Sequence, residues 1–265
     1  MKILNKKNLA SIIIVNYNNA KYIDQCVKSI LNQSYNNIEI IFIDDISKDN
    51  SLSVINKYKK KIKIIKKNKK IGIGSFDQMA AFLIGAKKSS GEILFFLDSD
   101  DFFKRQKISE IMKIYKINRK IKLLYDLPIE KYDYGNKKID LRNKYFQRYW
   151  PYFVPTSCIT MKKEFFFKIY KEININNFPD IWFDFRVGFI SFYKFKQYNF
   201  FKKNLTIYRK TNQNVSSKFK HMSKTWWQRR QQAHDFVNLL FNKNNIKHRI
   251  NFDFLITKLM NIILR

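Results

Sequence analysis

The stretch Glu92-Ile-Leu-Phe-Phe-Leu-Asp98-Ser-Asp100-Asp101 decides how the rest of the chain is interpreted. Five apolar residues run directly into three carboxylates, and such an unbroken apolar run is typical of a strand buried on both faces of an α/β sheet. In open α/β sheets, ligands bind beyond the carboxyl ends of the strands, which is where these acids fall. The stretch therefore predicts a buried strand that ends at a binding site.

The first and third of these acids have the spacing of a cation site. Asp98 and Asp100 are two residues apart, so in an extended chain their side chains point to the same side. Two carboxylates held together repel each other unless a cation lies between them. Carboxylate oxygens suit Mg²⁺ or Mn²⁺, and Mg²⁺ usually completes its shell with water and phosphate oxygens. The pattern predicts a metal site, and the alternative is a solvated acidic turn that caps the following helix.

Composition limits the class of protein. The chain has 265 residues, of which 45% are hydrophobic, so it can bury the core of one large domain, with or without an extension. A formal net charge of +31 favours an anionic partner, which includes nucleic acid, an anionic membrane and phosphorylated ligands. Cys26 and Cys158 lie in apolar segments without metal-ligand spacing, which predicts buried free thiols in a reducing compartment.

The expected location follows from the apolar segments. No segment reaches the roughly 18 to 20 apolar residues that a membrane span needs. No signal peptide is recognised before Ser11. We therefore expect a cytoplasmic protein, or one that is peripheral on the inner face of the cell membrane.

Apolar runs and helical periodicity alternate along the first hundred residues. Four strands are predicted, at Leu9 to Val15, Ile38 to Ile43, Ile62 to Ile65 and Glu92 to Asp98. The order β-α-β-α-β-α-β predicts an α/β fold with three layers and a mostly parallel sheet. The second strand also ends in two acids, Asp44 and Asp45. Gly72 and Gly74 precede the next helix and are interpreted as a tight turn rather than a phosphate cradle.

The second half of the chain has a less regular pattern. Residues 121–127 predict a strand, and residues 128–150 predict an acceptor-side loop because they lack periodicity. Two short strands are expected at Tyr198 to Phe201 and Leu205 to Tyr208. An aromatic-rich helix is expected to follow Asp180.

Three blocks of sequence resemble the family 2 glycosyltransferases. They are SIIIVNYNNAKYIDQCVKSILNQSY from Ser11, IEIIFIDDISKDNS from Ile38 and SSGEILFFLDSDDFF from Ser89. Three ordered blocks with correct spacing are far more specific than one acidic motif. The resemblance implies a GT-A (Rossmann-like) domain over residues 1–215, with a nucleotide-sugar half at about 1–105 and an acceptor half at about 106–215.

The resemblance also assigns the nucleotide side of the site. By resemblance, Val15 and Tyr17 would flank the base of a UDP-sugar donor. One acid of the pair Asp44 and Asp45 would read the edge of that base. The donor expected from the resemblance is a nucleotide-diphosphate sugar.

The acidic stretch matches the DxD motif of the family. Asp98, Ser99 and Asp100 form the motif, and Asp101 matches a frequent extra acid. By resemblance, the last acid of the motif holds a Mg²⁺ or Mn²⁺ ion on the donor diphosphate. Asp98 and Asp100 are therefore the expected metal ligands, and Asp98 and Ser99 are also expected to contact the donor.

One departure from the family concerns the helix before the DxD strand. Many relatives carry Asn in an Ala-x-Asn-x-Gly pattern, whereas this chain has Leu83 at that place. The usual polar contact to the donor is therefore missing from its expected position. Gln78 is the candidate to replace it.

The catalytic base has two candidates. Asp180 falls at the base position of the family, usually written Glu-Asp, although Pro179 replaces the Glu, and Asp184 is the rival. An inverting transfer needs a carboxylate to take the proton of the attacking sugar hydroxyl. At helical spacing, the two acids would face one way. The alternative for either is a helix cap or a salt bridge to Arg186.

Residues 216–265 differ from the rest of the chain. Lys224 to Phe236 predicts a basic amphipathic helix, and a second helix is expected at Phe252 to Leu264. Trp226 and Trp227 among Lys and Arg have the composition of a membrane interface. The alternative is that these helices pack on the catalytic domain.

The sequence thus favours one function over a second. The first is a metal-dependent, inverting glycosyltransferase that adds one sugar to a glycan or a lipid-linked acceptor in cell-surface polysaccharide or lipopolysaccharide synthesis. The second, suggested by charge alone, is a basic nucleic-acid-binding protein without catalysis. The chain has no recognised nucleic-acid module, and its acids cluster where a basic cleft would be needed.

Overall fold

The first half of the chain forms four strands linked by helices, in the order that the sequence predicts. A computed structural model describes residues 8–139, 150–211, 218–247 and 251–264. The strands are β1 (Ala10–Asn16), β2 (Ile38–Asp44), β3 (Lys63–Lys66) and β4 (Ile93–Asp98). The helices between them are α1 (Ala20–Leu31), α2 (Ser51–Asn56) and α3 (Gly74–Lys88).

The second half adds five more strands and the remaining helices. The strands are β5 (Phe102–Phe103), β6 (Leu123–Tyr132), β7 (Gly135–Lys138), β8 (Ile159–Lys162) and β9 (Asn199–Arg209). The helices are α4 (Lys107–Ile117), α5 (Lys163–Ile173), α6 (Phe183–Tyr193), α7 (Lys224–Lys243) and α8 (Phe252–Ile263). A short 3₁₀ turn, Thr156–Cys158, leads into β8.

Within the described ranges, the strands form one sheet in the order β3-β2-β1-β4-β8-β6-β9-β5, with β7 paired to β6. The neighbours among β1 to β4 are parallel, and β8 runs antiparallel to both β4 and β6. The chain goes from β1 to β2 on one side and later returns to β4 on the other side of β1. The strand order therefore reverses between β1 and β4, which is where an open α/β sheet leaves a crevice for ligands.

Alternate residues of the central strands enter two hydrophobic cores, one on each face of the sheet. Ile13 and Phe96 belong to the core shared with α3, α5, α6 and α7. Ile12 and Phe95, their chain neighbours, belong to the core shared with α1 and α4. The β4 residues from Ile93 to Leu97 are all buried, as the opening stretch predicts. The three layers and the mostly parallel sheet confirm the predicted fold class.

The prediction of a loop at residues 128–150 is wrong for the part that the structure describes. Strand β6 continues to Tyr132 and turns back as β7, so residues 128–138 form most of a hairpin, while residues 140–149 lie outside the described residues. Gly135, at the turn, has φ +151°, which a residue with a side chain rarely adopts. All four residues of β7 are exposed, and this is why no apolar period revealed the strand.

The prediction of two short strands at residues 198–208 is also wrong. One strand, β9, spans Asn199–Arg209 and pairs in parallel with β6. The register shifts between Tyr125 and Pro128 of β6, so an irregularity absorbs the polar residues that interrupt the apolar pattern. The polar interruption therefore marks a bulged pairing and not a break in the strand.

The tail helices confirm the predicted elements but differ in their packing. Helix α7 runs to Lys243, beyond the predicted end, and its residues Phe236, Val237 and Leu240 are buried in the core beneath α6. Within the described residues, no helix combines the length and the apolar character that crossing a membrane requires. Trp227 is also buried, which contradicts its assignment to a membrane interface.

A buried arginine organises the segment between α5 and α6. Arg186 has no exposed surface, and its guanidinium donates to the carbonyl oxygens of Ile173, Ile175, Phe178 and Ile181 at 2.7–2.9 Å. The alternative of a salt bridge from Asp180 or Asp184 to Arg186 is not found among these contacts, because main-chain oxygens accept from the guanidinium instead. Burial lowers the pKa of Arg186 to about 10. One side chain thus holds the connection that leads to Asp184.

We predict that Arg186→Leu lowers the free energy of unfolding by roughly 3 kcal/mol or more, because it leaves several buried carbonyl groups without a donor. Urea denaturation followed by circular dichroism measures the change. Arg105→Leu is the matched control, since Arg105 is exposed. Equal stability of the two variants would contradict the role given to Arg186.

Candidate active site

A cavity of about 580 Å³ opens at the carboxyl ends of β1 and β4, where the strand order reverses. The residues that line it are far apart in the sequence. The sequence-predicted residues that line it are Val15, Tyr17, Asp45, Gln78, Asp98, Asp100 and Asp184. Asp44, Ser99 and Asp180 do not belong to its lining. The structure therefore brings most of the predicted site residues together and separates three of them from the cavity.

The two acids predicted to hold a metal both line the cavity. Burial and the neighbouring charge of Asp100 raise the pKa of Asp98 to about 8, with a smaller contribution from Asp184. Burial also raises the pKa of Asp100, against the nearby positive charge of Arg209. Raised pKa values at adjacent carboxyl groups show that their charges are poorly compensated by the protein alone. Such a pair is suited to a divalent cation whose remaining ligands are water and phosphate.

The fit to a metal rests on two carboxylates. Within the described ranges, no group of three or more His, Cys, Asp or Glu side chains is arranged to hold a metal ion. A resident structural metal usually needs more protein ligands, whereas Mg²⁺ in phosphate-binding sites is often held by one or two carboxylates and by the substrate. Asp98 and Asp100 fit the second situation.

Asp101 and Ser99 stabilise the loop that carries the pair. Asp101 is buried, and its carboxylate accepts hydrogen bonds from the hydroxyl of Ser157 at 2.6 Å and from the backbone N–H of Arg209 at 2.9 Å. Ser99 is also buried, and its hydroxyl donates to Oδ1 of Asn16 at 2.7 Å. Both side chains are thus used inside the protein, which leaves Asp98 and Asp100 to face the cavity.

Ser157 connects this loop to the second half of the domain. Its hydroxyl accepts a hydrogen bond from the backbone N–H of Asp98 at 3.1 Å, in addition to the one that it donates to Asp101. Its carbonyl accepts from Nζ of Lys107 at 2.7 Å, and Lys107 forms a fully buried ion pair with Asp126 at 2.8 Å. The position of the acidic loop is therefore set by β6 and α4 as well as by β4.

Asp44 and Asp45 have different roles. Asp44 is buried and accepts hydrogen bonds from the side chain of Asn16 and from the backbone N–H of Ser47, both at 3.0 Å. Asp45 faces the cavity, where burial raises its pKa and Lys67 lies 2.6 Å from its carboxylate. Of the acidic pair, Asp45 is the one that lines the cavity.

The wall at the end of β1 is formed by Val15 and Tyr17. Val15 is almost fully buried, while 45% of Tyr17 is exposed. The ammonium group of Lys70 lies 3.3 Å from the centre of the Tyr17 ring. An aromatic face with a neighbouring cation is an arrangement that suits a planar base and an attached phosphate.

Among the residues that the structure describes, Gln78 and Trp182 have buried polar atoms without a hydrogen-bond partner. Gln78 donates from Nε2 to the carboxylate of Asp98 at 2.9 Å, while its buried Oε1 has no hydrogen-bond partner. The buried indole N–H of Trp182 also lacks a partner. Leu83, at the family's Asn position, packs against the hydrophobic core instead. A buried polar atom without a partner costs stability, so a ligand that pairs with it gains affinity.

The two candidates for the base occupy different environments. Asp184 lies in the first turn of α6 and lines the cavity, where burial raises its pKa in spite of the positive charge of Arg229. Asp180 instead exchanges two hydrogen bonds with the side chain of Gln232 on α7, at 2.7 Å and 2.9 Å. The geometry favours Asp184.

The expectation that both acids face one way does not hold. Helix α6 begins at Phe183, because Trp182 has an extended backbone (φ −82°, ψ 169°). Asp180 therefore precedes the helix, and the spacing of four residues carries no helical meaning there.

Three basic residues at the cavity were missed by the sequence analysis. Lys70, Lys218 and Arg229 line the same cavity as the acids. Arg229 also donates from Nε to the carbonyl oxygen of Asp180 at 3.1 Å. The basic character of residues 216–265 did not indicate that Lys218 and Arg229 line a site, because the packing of this segment on the domain is not predictable from its own sequence. The cavity thus combines carboxylates with cations that suit a diphosphate.

Comparison with known proteins identifies the family. The sequence model described as Glycosyl transferase family 2 matches residues 11–196, more than half of the chain. The chain therefore belongs to glycosyl transferase family 2.

Two curated relatives have partial matches. An uncharacterized glycosyltransferase of Nostoc sp. is 35% identical over 130 residues, which are 49% of this chain and 39% of that protein. The poly(ribitol-phosphate) beta-N-acetylglucosaminyltransferase TarP of Staphylococcus aureus is 32% identical over 142 residues, 52% of this chain and 41% of TarP. The chain thus spans less than half the length of these relatives.

Solved structures share the fold over nearly the whole chain. S. aureus TarS 1-349 in complex with UDP-GlcNAc has a TM-score of 0.62 at 16% identity, and the match covers 97% of this chain and 71% of that one. The mannosyltransferase PcManGT from Pyrobaculum calidifontis, in complex with GDP-Man and Mn²⁺, has a TM-score of 0.56 at 14% identity, covering 96% and 69%. At such low identity the likeness concerns the fold alone, and it confirms the predicted GT-A fold.

We predict that Ser157→Ala lowers the free energy of unfolding by about 1–3 kcal/mol, because the buried carboxylate of Asp101 loses its hydroxyl donor. Urea denaturation at neutral pH measures the change. Ser90→Ala is the matched control, since Ser90 is exposed and lies just before the same strand. If Ser157→Ala is as stable as Ser90→Ala, the hydroxyl of Ser157 does not stabilise the connection between the two halves of the domain.

Proposed function

We propose that this chain is a metal-dependent, inverting glycosyltransferase that moves one hexosyl-type sugar from a nucleotide-diphosphate sugar to a glycan or lipid-linked acceptor. One observation carries the proposal. A single cavity at the reversal of strand order contains the paired acids Asp98 and Asp100, and a separate acid, Asp184, enters it from another element. A metal-dependent transfer needs one acidic site for the cation and another for the proton of the acceptor.

The proposed metal ligands are Asp98 and Asp100, with the donor diphosphate completing the shell of Mg²⁺ or Mn²⁺. When bound, the ion would offset the negative charge that develops on the departing diphosphate. The protein supplies further positive charge through Lys70, Lys218 and Arg229, which line the same cavity. The mannosyltransferase neighbour, solved with Mn²⁺, supports the use of a divalent cation.

The proposed donor is a UDP-sugar. Val15, Tyr17 and Asp45 would hold the base, and Ser99 would act indirectly by fixing the loop between the metal ligands. Asp44 would act in the same indirect way, through Asn16 and Ser47. The unpartnered atoms of Gln78 and Trp182 are the proposed contacts for the sugar hydroxyls. TarS, whose structures contain UDP and UDP-GlcNAc, supports this choice of donor class.

The proposed general base is Asp184. The acceptor oxygen attacks the anomeric carbon from the face opposite the diphosphate, and the bond between that carbon and the diphosphate oxygen breaks. The hydroxyl proton passes to the carboxylate of Asp184, whose pKa is raised by burial, which makes it a stronger proton acceptor than a free Asp. Asp180 is the less favoured candidate, since Gln232 already occupies its carboxylate.

The proposed process is the synthesis of cell-surface polysaccharide or lipopolysaccharide. TarP, by its name, transfers N-acetylglucosamine to poly(ribitol-phosphate), which supports a surface polymer as the class of acceptor.

We propose that the enzyme works in the cytoplasm beside the inner face of the cell membrane. Residues 216–265 are then an extension of the 1–215 domain, and α7 contributes Arg229 to its cavity. The nucleic-acid-binding alternative is set aside, because the chain belongs to glycosyl transferase family 2.

We predict that Asp100→Asn lowers the rate of sugar transfer by about 100-fold or more, because the metal on the diphosphate loses a charged ligand. Release of nucleoside diphosphate from a panel of donors, with Mn²⁺ or a chelator, measures the rate. Asp133→Asn, which changes an exposed acid on the β6–β7 turn, is the matched control. Full activity of a folded Asp100→Asn protein in chelator would contradict metal dependence.

We predict that Asp184→Asn lowers turnover by about 10²- to 10⁴-fold, because the acceptor hydroxyl loses its proton acceptor. Binding of the donor, measured by calorimetry, should remain close to that of the unmodified protein. Asp180→Asn is the matched variant and should retain most of the turnover. The reverse pattern, a silent Asp184→Asn and an inactive Asp180→Asn, would assign the base to Asp180.

A further inference from the structure

The last helix, α8, presents an apolar face to solvent. Its exposed apolar residues are 53–77% accessible and recur at helical spacing; they are Phe252, Leu255, Leu259, Ile262 and Ile263. We call this set the α8 stripe. Large apolar side chains grouped on one side of a helix, without a partner in the fold, mark a surface that binds something else.

The two tail helices differ in where their apolar residues lie. Helix α7 buries its apolar face in the domain core, and Trp227 is buried with it. Helix α8 is attached to α7 by the buried Phe254, whose ring lies 5.3 Å from that of His234, and by polar contacts. Asp253 pairs with Arg230 and lies 2.8 Å from Nε2 of His234, and Asn261 donates to the carbonyl oxygen of Trp227 at 3.0 Å. These contacts hold α8 in place while they leave the α8 stripe outside.

We propose that the α8 stripe docks the protein on an anionic lipid surface. The helix has 12 residues, too few for the roughly 20 that cross a bilayer, so it would lie in the plane of the interface. The segment that contains it is basic: residues 216–265 have ten Lys or Arg against two Asp. One of those acids, Asp253, already pairs with Arg230. Lys258 lies on α8 itself beside the stripe and is exposed. Apolar side chains among excess cations match an anionic leaflet.

A second copy of the chain is a poorer occupant of the same face. Each copy has a net charge of +31, so two basic tails would repel each other when brought together. The stripe is also almost entirely aliphatic, whereas the residues that dominate protein interfaces are enriched in Trp, Tyr and Arg. Self-association is therefore an outcome for the experiment to exclude.

Docking through α8 would bring the cavity close to the lipid. The contact between Asn261 and Trp227 sets the end of α8 beside the start of α7. The start of α7 carries Arg229, which lines the cavity, and Lys218 lines it just before the helix. A lipid-linked acceptor could then reach the cavity without leaving the membrane, and this consequence, unlike the docking itself, depends on the proposed function.

The test is co-sedimentation of the full chain with vesicles that contain about 30% anionic phospholipid, at low and high salt, without donor or metal. The variant Leu259→Gln/Ile262→Gln removes two residues of the stripe. The matched control, Ile117→Gln/Tyr134→Gln, removes two exposed apolar residues elsewhere. We expect the stripe variant to bind anionic vesicles at least about tenfold more weakly than the unmodified protein. The control variant should bind like the unmodified protein, and the unmodified protein should bind neutral vesicles poorly.

The proposal is overturned if the two variants bind equally, or if the unmodified protein ignores anionic vesicles at low salt. It is also overturned if light scattering shows a dimer that the stripe variant abolishes while vesicle binding persists, because the stripe is then an interface between copies. Circular dichroism checks that each variant is folded. Release of nucleoside diphosphate with a soluble acceptor is measured in parallel. If the unmodified protein shows no release, the result counts against the proposed function, whereas a failure to bind vesicles alone leaves that function intact.

Discussion

The structure depends on how three carboxylates are accommodated at the end of one buried strand. Asp98, Asp100 and Asp101 follow directly on β4, where isolated charges are costly to bury. Asp101 accepts hydrogen bonds from two donors, the hydroxyl of Ser157 and the backbone N–H of Arg209, while burial and the neighbouring acids raise its pKa. Because Asp101 is thereby fixed inside the protein, the other two acids are turned toward the cavity. Of the three acids, Asp98 and Asp100 line the cavity, and Asp98 also accepts a hydrogen bond from Gln78.

The donors that fix this loop come from the second half of the domain. Ser157 precedes β8 and Arg209 ends β9, so the acidic loop takes its final geometry only when both halves are joined. The buried pair of Lys107 and Asp126 reinforces the same junction, since Lys107 also donates to the carbonyl of Ser157. Removing one member of such a buried network leaves an uncompensated charge, which costs more than the pair itself contributes. The junction therefore couples stability to the arrangement of the site.

The distribution of charge gives the strongly basic chain a local acidic centre. The cavity is lined by the acids Asp98, Asp100 and Asp184 and also by the basic residues Lys70, Lys218 and Arg229. A cation and a diphosphate would each find complementary charge in this arrangement. The excess of positive charge is a separate feature that extends over the whole chain: residues 216–265, which carry the α8 stripe, contain ten Lys or Arg and two Asp and so contribute +8 of the formal net charge of +31.

The sequence by itself determined the parallel half of the sheet and the acids at the ends of its strands, because unbroken apolar runs and turn residues are local signals. It also determined the family, through three blocks in the right order. Only the tertiary structure decided which acids face the cavity, since Asp44 and Asp101 differ from Asp45 and Asp100 by the partners that fold against them. It likewise placed Asp184, and not Asp180, in the lining of the cavity, because the extended backbone of Trp182 makes α6 begin only at Phe183. Contacts such as that of Arg229 with the cavity join residues far apart in the chain, and no local pattern encodes them.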